Sequence, residues 1–296
     1  MGIPVHITLV GPNEKDARKH IADAEQIFHA LDKRFSRFKE TSELHKLNTA
    51  NGEWIPVSLP MFQVIKKCVA LAEETAGAFD PSVGGVLASY GYGLPENFTP
   101  PSPLPTYRDI EFNDRELSVR LAPGQVLEPA SIVKGLAIDD AGKILQDVGV
   151  PGFLINAGGD IITHGAYKDD SSWNIAIQDP RNPDAIVGAV GLKNAGMATS
   201  GVYQTKGFHD GKEWHHLVDM RTGRPSTSEI VSATVIANTC EEADTEASLV
   251  ILLSEAEAVA RLNGRGLPYF LINVDGKVAK NAAFVALEVP IQTLIS

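Results

Sequence analysis

The sequence predicts an α+β protein, because amphipathic helix signals alternate with short strand signals along its 296 residues. Two segments carry apolar residues at helical spacing, namely Asp16–Phe38 and Met61–Thr75. Short strands rich in β-formers are predicted at Glu111–Phe112 and Leu117–Leu121, which form a hairpin around Asn113-Asp114, and at Trp173–Gln178 and Ala189–Leu192. Five prolines in 93–105 predict a loop there.

An internal repeat supports a fold with two related parts. Gly149–Asn156 reads GVPGFLIN, and Gly266–Asn273 reads GLPYFLIN. Each copy follows a predicted helix, Lys134–Val148 in the first and about Ala243–Leu262 in the second. Coincidence is the alternative, because apolar strand ends resemble one another, but we favour an internal duplication.

A duplication would give the two helices equivalent starting places. Lys134 near one helix start and Asp244 near the other would then face a shared cleft. Exposed backbone N–H groups at helix N-termini suit phosphate oxygens. The repeat therefore supports the hypothesis of a site for a diphosphate and a metal ion.

Composition excludes several classes of function. The formal net charge of -11 argues against a nucleic-acid partner, since binding a phosphate backbone needs a basic surface. The apolar run Leu249–Leu253 is far shorter than the ~20 residues of a membrane-spanning helix. Cys68 and Cys240 lack the spacing of a metal or redox motif, and we expect two buried thiols, with a single disulfide as the alternative.

Three polar segments stand out against this ordinary composition. His215–Pro225 packs a histidine, a carboxylate, a guanidinium and a hydroxyl between turn formers. Ala198–Gly201 lies upstream of it and Ala243–Ser248 downstream. A packed core does not need polar groups at this density, whereas a site that binds an anion and a metal does.

In order along the chain, these segments and several others resemble the motifs of the ApbE family of FAD:protein FMN transferases. Each match alone is weak, but six or seven in the right order are specific. The matching residues are Ser36-Arg37-Phe38 with Ser42, Leu44 and Leu47-Asn48, then Gly77–Gly84 (GAFDPSVG), Lys134–Asp139 (KGLAID), Asn156–Asp160 (NAGGD), Thr199-Ser200-Gly201, His216–Gly223 (HLVDMRTG) and Ala243–Ser248 (ADTEAS).

The resemblance covers nearly the whole chain and implies one flavin-transferase domain over 1–296, with two lobes, mixed sheets and an active-site cleft between the lobes. It implies Mg²⁺-dependent cleavage of FAD, in which FMN passes to a threonine of a partner flavoprotein and AMP leaves. An FAD diphosphatase, which would release free FMN, is the nearest alternative. A flavin-binding protein without catalysis is another, because Glu128–Val133 departs from the family pattern.

The metal ligands implied by the resemblance are the side chains of Asp244 and Ser248 and the main-chain carbonyl of Ser131. Ser248 replaces the family's threonine and keeps its hydroxyl. Asp244 and Ser248 are four residues apart on a predicted helix, so they share one face, and their oxygens suit Mg²⁺. The alternative is a helix start at which Asp244 merely complements the helix dipole.

The segment Glu128–Lys134 is where the chain departs most from the family. Glu128 replaces the family's aspartate, Ala130 and Ser131 replace two glycines, and Pro129 fixes the backbone and removes a donor. The departure puts the flavin contact expected of Glu128 in question more than the metal site. Lys134 is expected to neutralise a phosphate, with a solvated helix lysine as the alternative.

His216 aligns with the family's histidine and is the candidate general base, since neutral imidazole can take a proton from a hydroxyl. His215 is adjacent, so on a strand its side chain would point the other way. A hydrogen-bonded structural histidine is the alternative for His216. Asp219 could orient His216 or fix the turn into Thr222-Gly223, and we favour turn-fixing for Asp219 and Thr222.

The remaining residues expected to contact FAD follow from the resemblance. Phe38 would lie against the isoalloxazine ring, with core packing as the alternative, and Asp80 before Pro81 could equally be a turn residue. Ala78–Asp80 and Thr199–Gly201 are expected to be loops that hydrogen-bond the flavin or adenine side of FAD. These contacts comprise Met1, Phe38, Ala78, Phe79, Asp80, Glu128, Lys134, Thr199, Ser200, Gly201 and Val218.

The N-terminus has no basic region, long apolar stretch or lipid-accepting cysteine of the kind a signal peptide carries. Met1-Gly2 already sits where the first site motif of the family falls. We therefore expect a cytoplasmic protein, or a periplasmic or membrane-anchored one if a leader has been removed.

Overall fold

The computed structural model describes residues 3–92, 99–203, 205–209 and 212–294, and its helices and sheets confirm the α+β class. The helices are α1 (Glu14–Phe35), α2 (Glu43–Asn48), α3 (Leu59–Glu74), α4 (Gly84–Ser89), α5 (Ala130–Asp147), α6 (Cys240–Val250), α7 (Glu255–Gly264) and α8 (Ala282–Val285).

The strands are β1 (Val5–Val10), β2 (Trp54–Pro56), β3 (Glu111–Asn113), β4 (Ser118–Arg120), β5 (Gly152–Ala157), β6 (Asp160–His164), β7 (Trp173–Asp179), β8 (Asn182–Leu192), β9 (Ala195–Gly201), β10 (Lys206–His209), β11 (Lys212–His215), β12 (Val218–Asp219), β13 (Arg224–Pro225), β14 (Ile230–Ala237), β15 (Tyr269–Asn273) and β16 (Val278–Lys280).

Several of the predicted elements are found with small shifts at their ends. The two long amphipathic helices are α1 and α3, and the predicted hairpin around Asn113-Asp114 is β3–β4. Strands β7 and β8 pair with each other, and β8 begins earlier than predicted, at Asn182. Cys68 and Cys240 are buried free thiols, as expected. Within the described ranges, no helix is long and apolar enough to cross a membrane.

The chain divides into two compact units. The first consists of His29–Val133 and Gln204–Thr227. Its elements include α3, the antiparallel sheet β2-β4-β3 and the two hairpins β10–β11 and β12–β13. Its core includes Val86, Leu87, Val218 and Met220. The single domain and the cleft between lobes stay predictions.

The second unit, Gly2–Phe28, Lys134–Tyr203 and Ser228–Ser296, is built on a seven-stranded sheet. The strand order is β1-β5-β6-β9-β14-β15-β16, with each neighbouring pair antiparallel. The hairpin β7–β8 packs on one face of the sheet, where Ile161 and Phe270 lie in its core. Helix α6 packs on β9 and β14, and Gly142 of α5 lies against Phe153 and Ile162.

The two copies of the sequence repeat have the same local structure. In both, a helix ends at a glycine with positive φ, Gly149 (79°) or Gly266 (67°), and a strand follows. The same hydrogen bond closes each helix, from Val150 N to Leu145 O and from Leu267 N to Leu262 O, both 3.0 Å. The strand orders β1-β5-β6 and β14-β15-β16 also match, although the duplication itself stays a prediction.

The predicted second helix, about Ala243–Leu262, is wrong as a single element. Its residues form α6 and α7, and Ser254 caps the start of α7 by accepting a hydrogen bond from the Glu257 N–H. The helix that precedes β15 is α7, whereas Asp244 lies on α6, which follows β14. Lys134 and Asp244 therefore do not lie at the starts of equivalent helices, contrary to the prediction.

Candidate active site

Lys134, Asp160 and Asp244 form a buried cluster of charged groups in the second unit, which we call the acidic cluster. Lys134 lies near the start of α5, Asp160 is the first residue of β6, and Asp244 lies on α6. Lys134 Nζ is 2.5 Å from Asp160 Oδ2 and 3.7 Å from Asp244 Oδ1. Lys134 and Asp244 therefore do meet, as expected, although their helices are not equivalent. The alternative of a solvated lysine is wrong.

The cluster has more negative than positive charge. The side chains of Asp160 and Asp244 are only 1% and 3% exposed, and Lys134 is 30% exposed. Burial raises the pKa of Asp244 well above its ordinary value, and the neighbouring Asp160 raises it further. Burial alone would lower the pKa of Lys134, but the two carboxylates raise it. One ammonium therefore faces two buried carboxyl groups and compensates them only in part.

The donors in this cluster fit a hard divalent cation. Asp244 Oδ2 is buried and has no hydrogen-bond donor among the described groups, and its neighbour Asp160 is itself a carboxylate. A hydrogen bond between the two carboxyl groups requires a shared proton, and a cation would replace that proton. No group of three His, Cys, Asp or Glu side chains in the described ranges could hold a metal, so hydroxyl, carbonyl or water oxygens must complete the set.

Hydroxyl groups lie beside the acidic cluster on α6 and β9. Ser248 follows Asp244 by one helical turn, so the two side chains lie on the same side of α6, as predicted. Ser248 Oγ lies 2.9 Å from Ser200 Oγ, and both residues are buried. Ser131 lies in the first turn of α5, and a metal-binding role for its carbonyl stays a prediction.

Thr199, Ser200 and Gly201 were expected to form a loop, but they lie in β9. Because side chains alternate along a strand, Thr199 and Ser200 point to opposite faces of the sheet. Thr199 Oγ1 hydrogen-bonds Thr234 Oγ1 at 2.8 Å, whereas Ser200 faces Ser248 on α6. Only the Ser200 side chain therefore belongs with the acidic cluster.

Glu128 in the first unit pairs with Arg37, a residue that the sequence analysis did not single out for a role. Arg37 Nη1 is 2.8 Å from Glu128 Oε2, and the Arg37 side chain is 4% exposed. The Glu128 carboxylate also accepts the N–H of Ala130 at the start of α5. Burial raises the pKa of Glu128, and Arg37 opposes that rise. In this structure the Glu128 carboxylate thus pairs with Arg37 and caps the start of α5.

Phe38 is 67% exposed, so its alternative assignment to core packing is wrong. The Arg37 guanidinium lies 4.9 Å from the centre of the Phe38 ring and 4.5 Å from that of Tyr92. The ring of Phe38 is therefore backed by a buried cation and open to solvent, a geometry that suits stacking of a planar ligand.

Ala78, Phe79 and Asp80 follow α3 in a buried turn of the first unit. Asp80 Oδ1 accepts the Ser82 N–H and Oδ2 accepts the Tyr107 N–H, both at 2.8 Å. These bonds confirm the turn-fixing alternative for Asp80. Since the side chains of Ala78 and Phe79 are buried, a ligand contact there stays a prediction for their main chain.

His215 is the last residue of β11, and His216 follows the strand end instead of lying on the strand. The two rings nevertheless bond different segments. His215 Nε2 lies 3.1 Å from the Ser226 carbonyl oxygen, and His216 Nδ1 lies 3.3 Å from that of Thr205. A carbonyl oxygen only accepts, so Nδ1 of His216 carries a proton and Nε2 is the basic nitrogen of the neutral ring.

The turn after His216 is fixed by Asp219. Its carboxylate accepts hydrogen bonds from the Arg221 backbone and side chain, and its carbonyl accepts the Thr222 and Gly223 N–H groups. The turn-fixing role of Asp219 and Thr222 is confirmed. The side chain of Val218 packs in the apolar core, so its expected ligand contact stays a prediction for its main chain. Met1 lies outside the described residues.

Asp160 was identified from the sequence only as the last residue of the NAGGD match, and its place in the acidic cluster was not predicted. The alternation of side chains along β6 could have indicated this place. Asp160 and Ile162 share a face of β6, and Ile162 packs beside α5, the helix that carries Lys134. A carboxylate at the start of a strand that is otherwise buried needs a partner, and the lysine of α5 was available.

Comparisons with known proteins find relatives along most of the chain. A model of the ApbE family matches residues 1–271. The FAD:protein FMN transferase of Klebsiella pneumoniae (strain 342) is 27% identical over 293 residues, covering 94% of this chain and 83% of that protein. The one from Haemophilus influenzae is 28% identical over 304 residues, covering 96% of this chain and 88% of that protein.

Solved structures of the family have the same fold. The crystal structure of the ApbE protein from Thermotoga maritima MSB8 aligns with a TM-score of 0.87 and 27% identity, over 98% of this chain and 97% of that one. The flavin transferase ApbE from Vibrio cholerae aligns with a TM-score of 0.82 and 23% identity, over 97% and 96% of the two chains. The family match spans most of the sequence, and this chain belongs to the ApbE family.

Proposed function

We propose that this chain is a Mg²⁺-dependent FAD:protein FMN transferase, which cleaves FAD, attaches FMN through a phosphoester to a threonine of a partner flavoprotein and releases AMP. The names of its relatives support flavin transfer to a protein. The observation that carries the proposal is the buried pair Asp160 and Asp244, which a single lysine compensates only in part.

A bound Mg²⁺ would supply charge neutralisation at the diphosphate. Asp244, the Ser248 hydroxyl and the Ser131 carbonyl would hold it. Lys134 has a different task in this proposal: its ammonium group, which Asp160 orients and which is 30% exposed, would donate a hydrogen bond to a phosphate oxygen of FAD. Phe38, backed by Arg37, is the proposed stacking surface for the flavin ring.

The reaction is a phosphoryl-type transfer whose atoms balance without an oxidant or reductant. The threonine oxygen attacks the phosphorus of the FMN half of FAD, and the bond from that phosphorus to the bridging oxygen breaks. AMP leaves with the bridging oxygen. The hydroxyl proton passes to Nε2 of His216, whose Nδ1 proton is engaged by the Thr205 carbonyl.

Product analysis tests the function directly. The protein is incubated with FAD, Mg²⁺ and an acceptor flavoprotein domain, and the products are separated. We expect AMP together with protein-bound FMN, and we expect excess EDTA to stop both. AMP with free FMN would instead show an FAD diphosphatase, and intact FAD would show a binding protein. Undiminished turnover in EDTA would disprove the metal requirement.

The two neighbouring histidines provide a matched test of the base. His216→Ala should slow FMN transfer by about 10²- to 10⁴-fold, the usual contribution of a general base, and should leave FAD affinity nearly unchanged. His215→Ala should be far milder. Equal losses in the two variants, or a His216→Ala defect confined to FAD affinity, would show that His216 is structural or contacts the flavin.

A further inference from the structure

We propose that Asp139 is a positioning residue, which sets the place of Asp244 and Ser248 by holding the first turn of α6 against α5. The inference rests on the proposed function, because it assigns Asp139 a purpose in metal binding. It stands on three contacts within the second unit, none of which involves the metal ligands themselves.

The first contact is a cap supplied from another helix. Asp139 lies on α5, and its two carboxylate oxygens accept the N–H groups of Cys240 and Glu241, each at 2.8 Å. These are the first two residues of α6, and their N–H groups have no partner inside the helix. Thr239 caps the next N–H, that of Glu242, at 3.2 Å. The start of α6 is therefore satisfied partly from α5.

The second and third contacts are close approaches that only glycine permits. A Cβ atom on Gly135 of α5 would overlap the Glu241 backbone. A Cβ atom on Gly196 of β9 would overlap the backbone at Thr239 and Cys240. The first turn of α6 is thus fixed on two sides, and the Asp139 carboxylate supplies the hydrogen bonds of the α5 contact.

These contacts place the metal ligands in register with Lys134. Helix α5 carries both Lys134, which pairs with Asp244, and Asp139, which holds the helix start one turn before Asp244. Burial raises the pKa of Asp139 to about 6, so the carboxylate is mostly ionised at neutral pH and can accept both N–H groups. Loss of one acceptor oxygen should let the start of α6 shift away from α5.

Asp139→Asn is the main test, because asparagine keeps the size of the side chain but replaces one acceptor oxygen with a donor. Asp140→Asn is the matched control, since it removes the same charge from the next residue, whose side chain is exposed. Mg²⁺ affinity at pH 7.5 is measured by calorimetry with Mg²⁺ alone. We expect Asp139→Asn to weaken it about 10- to 100-fold, the usual effect of removing a group that orients ligands, and Asp140→Asn less than about 2-fold.

Amide hydrogen exchange at Cys240, Glu241 and Asp244 gives a readout that does not depend on metal or flavin. Asp139→Asn should speed exchange at these amides, and Asp140→Asn should not. If Asp139→Asn fails to fold, Asp139→Glu keeps the carboxylate on a longer arm and should show intermediate exchange and Mg²⁺ affinity.

Unchanged exchange and Mg²⁺ affinity in Asp139→Asn, or equal losses in Asp140→Asn, would overturn the positioning role. Failure of the wild-type protein to bind Mg²⁺ would instead overturn the metal assignment of the proposed function. The exchange measurement would then still decide whether Asp139 holds α6.

Discussion

Helix α6 carries two buried acids, two residues apart, with opposite surroundings. Glu246 is 2% exposed and is held by Arg261 through two hydrogen bonds of 2.7 Å, with Arg265 3.5 Å away. Asp244 is 3% exposed, shares Lys134 with Asp160 and keeps one oxygen without a hydrogen-bond donor in the described part of the chain.

The difference separates a structural group from the proposed metal ligand. A buried carboxylate with a bidentate arginine is complete, and the interaction stabilises the packing of α6 on α7. A buried carboxylate beside a second carboxylate costs folding free energy, and such a cost persists where the group serves a ligand. Burial alone does not distinguish Asp244 from Glu246, but the surrounding charges do.

The largest expected effect is on turnover in Asp244→Asn. The amide keeps the shape but removes the charge that would hold Mg²⁺, so FMN transfer should fall by about 10³-fold, equal to several kcal/mol of metal-based stabilisation. Transfer rates at saturating FAD and increasing Mg²⁺ provide the measurement. A decrease below 10-fold would place the metal elsewhere.

Glu246→Gln should act on stability instead. Removing one charge of a buried pair leaves Arg261 without its counter-ion and should lower the free energy of unfolding by about 3–5 kcal/mol. Denaturant titration measures this loss, and turnover per folded molecule should stay near the wild-type value. A large defect in turnover without loss of stability would reverse the roles assigned to the two acids.

Ser248→Ala should have a smaller effect than Asp244→Asn. A water molecule can replace a neutral hydroxyl ligand, so we expect about 10-fold slower transfer and a higher Mg²⁺ requirement. Ser200→Ala is a useful comparison, because it removes the hydroxyl group that bonds Ser248. If Ser248→Ala proves more damaging than Asp244→Asn under matched conditions, the ligand roles are wrong.

The smallest expected effect is a gain in stability of the metal-free protein. Because the pKa of Asp244 is raised in the folded state, the native protein binds its proton more tightly than the unfolded chain does. The stability contribution of Asp244 therefore decreases as pH rises above about 4, the ordinary carboxyl value. Asp244→Asn removes this decrease and leaves Lys134 paired with Asp160.

Thermal unfolding in EDTA measures this gain. At pH 7 the Asn variant should be more stable by on the order of 1 kcal/mol, or about 2–4 °C in Tm, and the advantage should shrink towards pH 4. A variant that is less stable than the wild type throughout this range would show that ionised Asp244 is well compensated.

Only part of the acidic cluster could be predicted from the sequence, which indicated Asp244 but not Asp160. Asp244 and Ser248 could be placed on one helix face because helical spacing is regular. Asp160 could not be placed with them, because its partners come from α5 and α6, and such pairings between distant segments are not periodic. Arg37 was missed for the same reason, since its partner Glu128 lies far along the chain.

The fold shows the same limit. The α1 and α3 helices follow from their apolar spacing. The break between α6 and α7 was hidden, because the residues from Ile251 to Leu253 are apolar and continue the helical pattern. The assignment of Thr199–Gly201 to a loop was wrong, because small polar residues also occur in a strand when they have polar partners. Here Thr199 bonds Thr234 of β14, and Ser200 bonds Ser248 of α6.

The route of the chain through its two units imposes an order of assembly during synthesis. Strand β1 pairs with β5, with Val5 opposite Ala157, although α1 and the segment His29–Val133 lie between the two strands in the sequence. At roughly 5–20 residues per second, β1 must wait on the order of 10 s for that partner to be made. The intervening segment His29–Val133 is complete by then and can begin to collapse first. The backbone edge of β1 that pairs with β5 is therefore open throughout that interval, when it can pair wrongly with another strand.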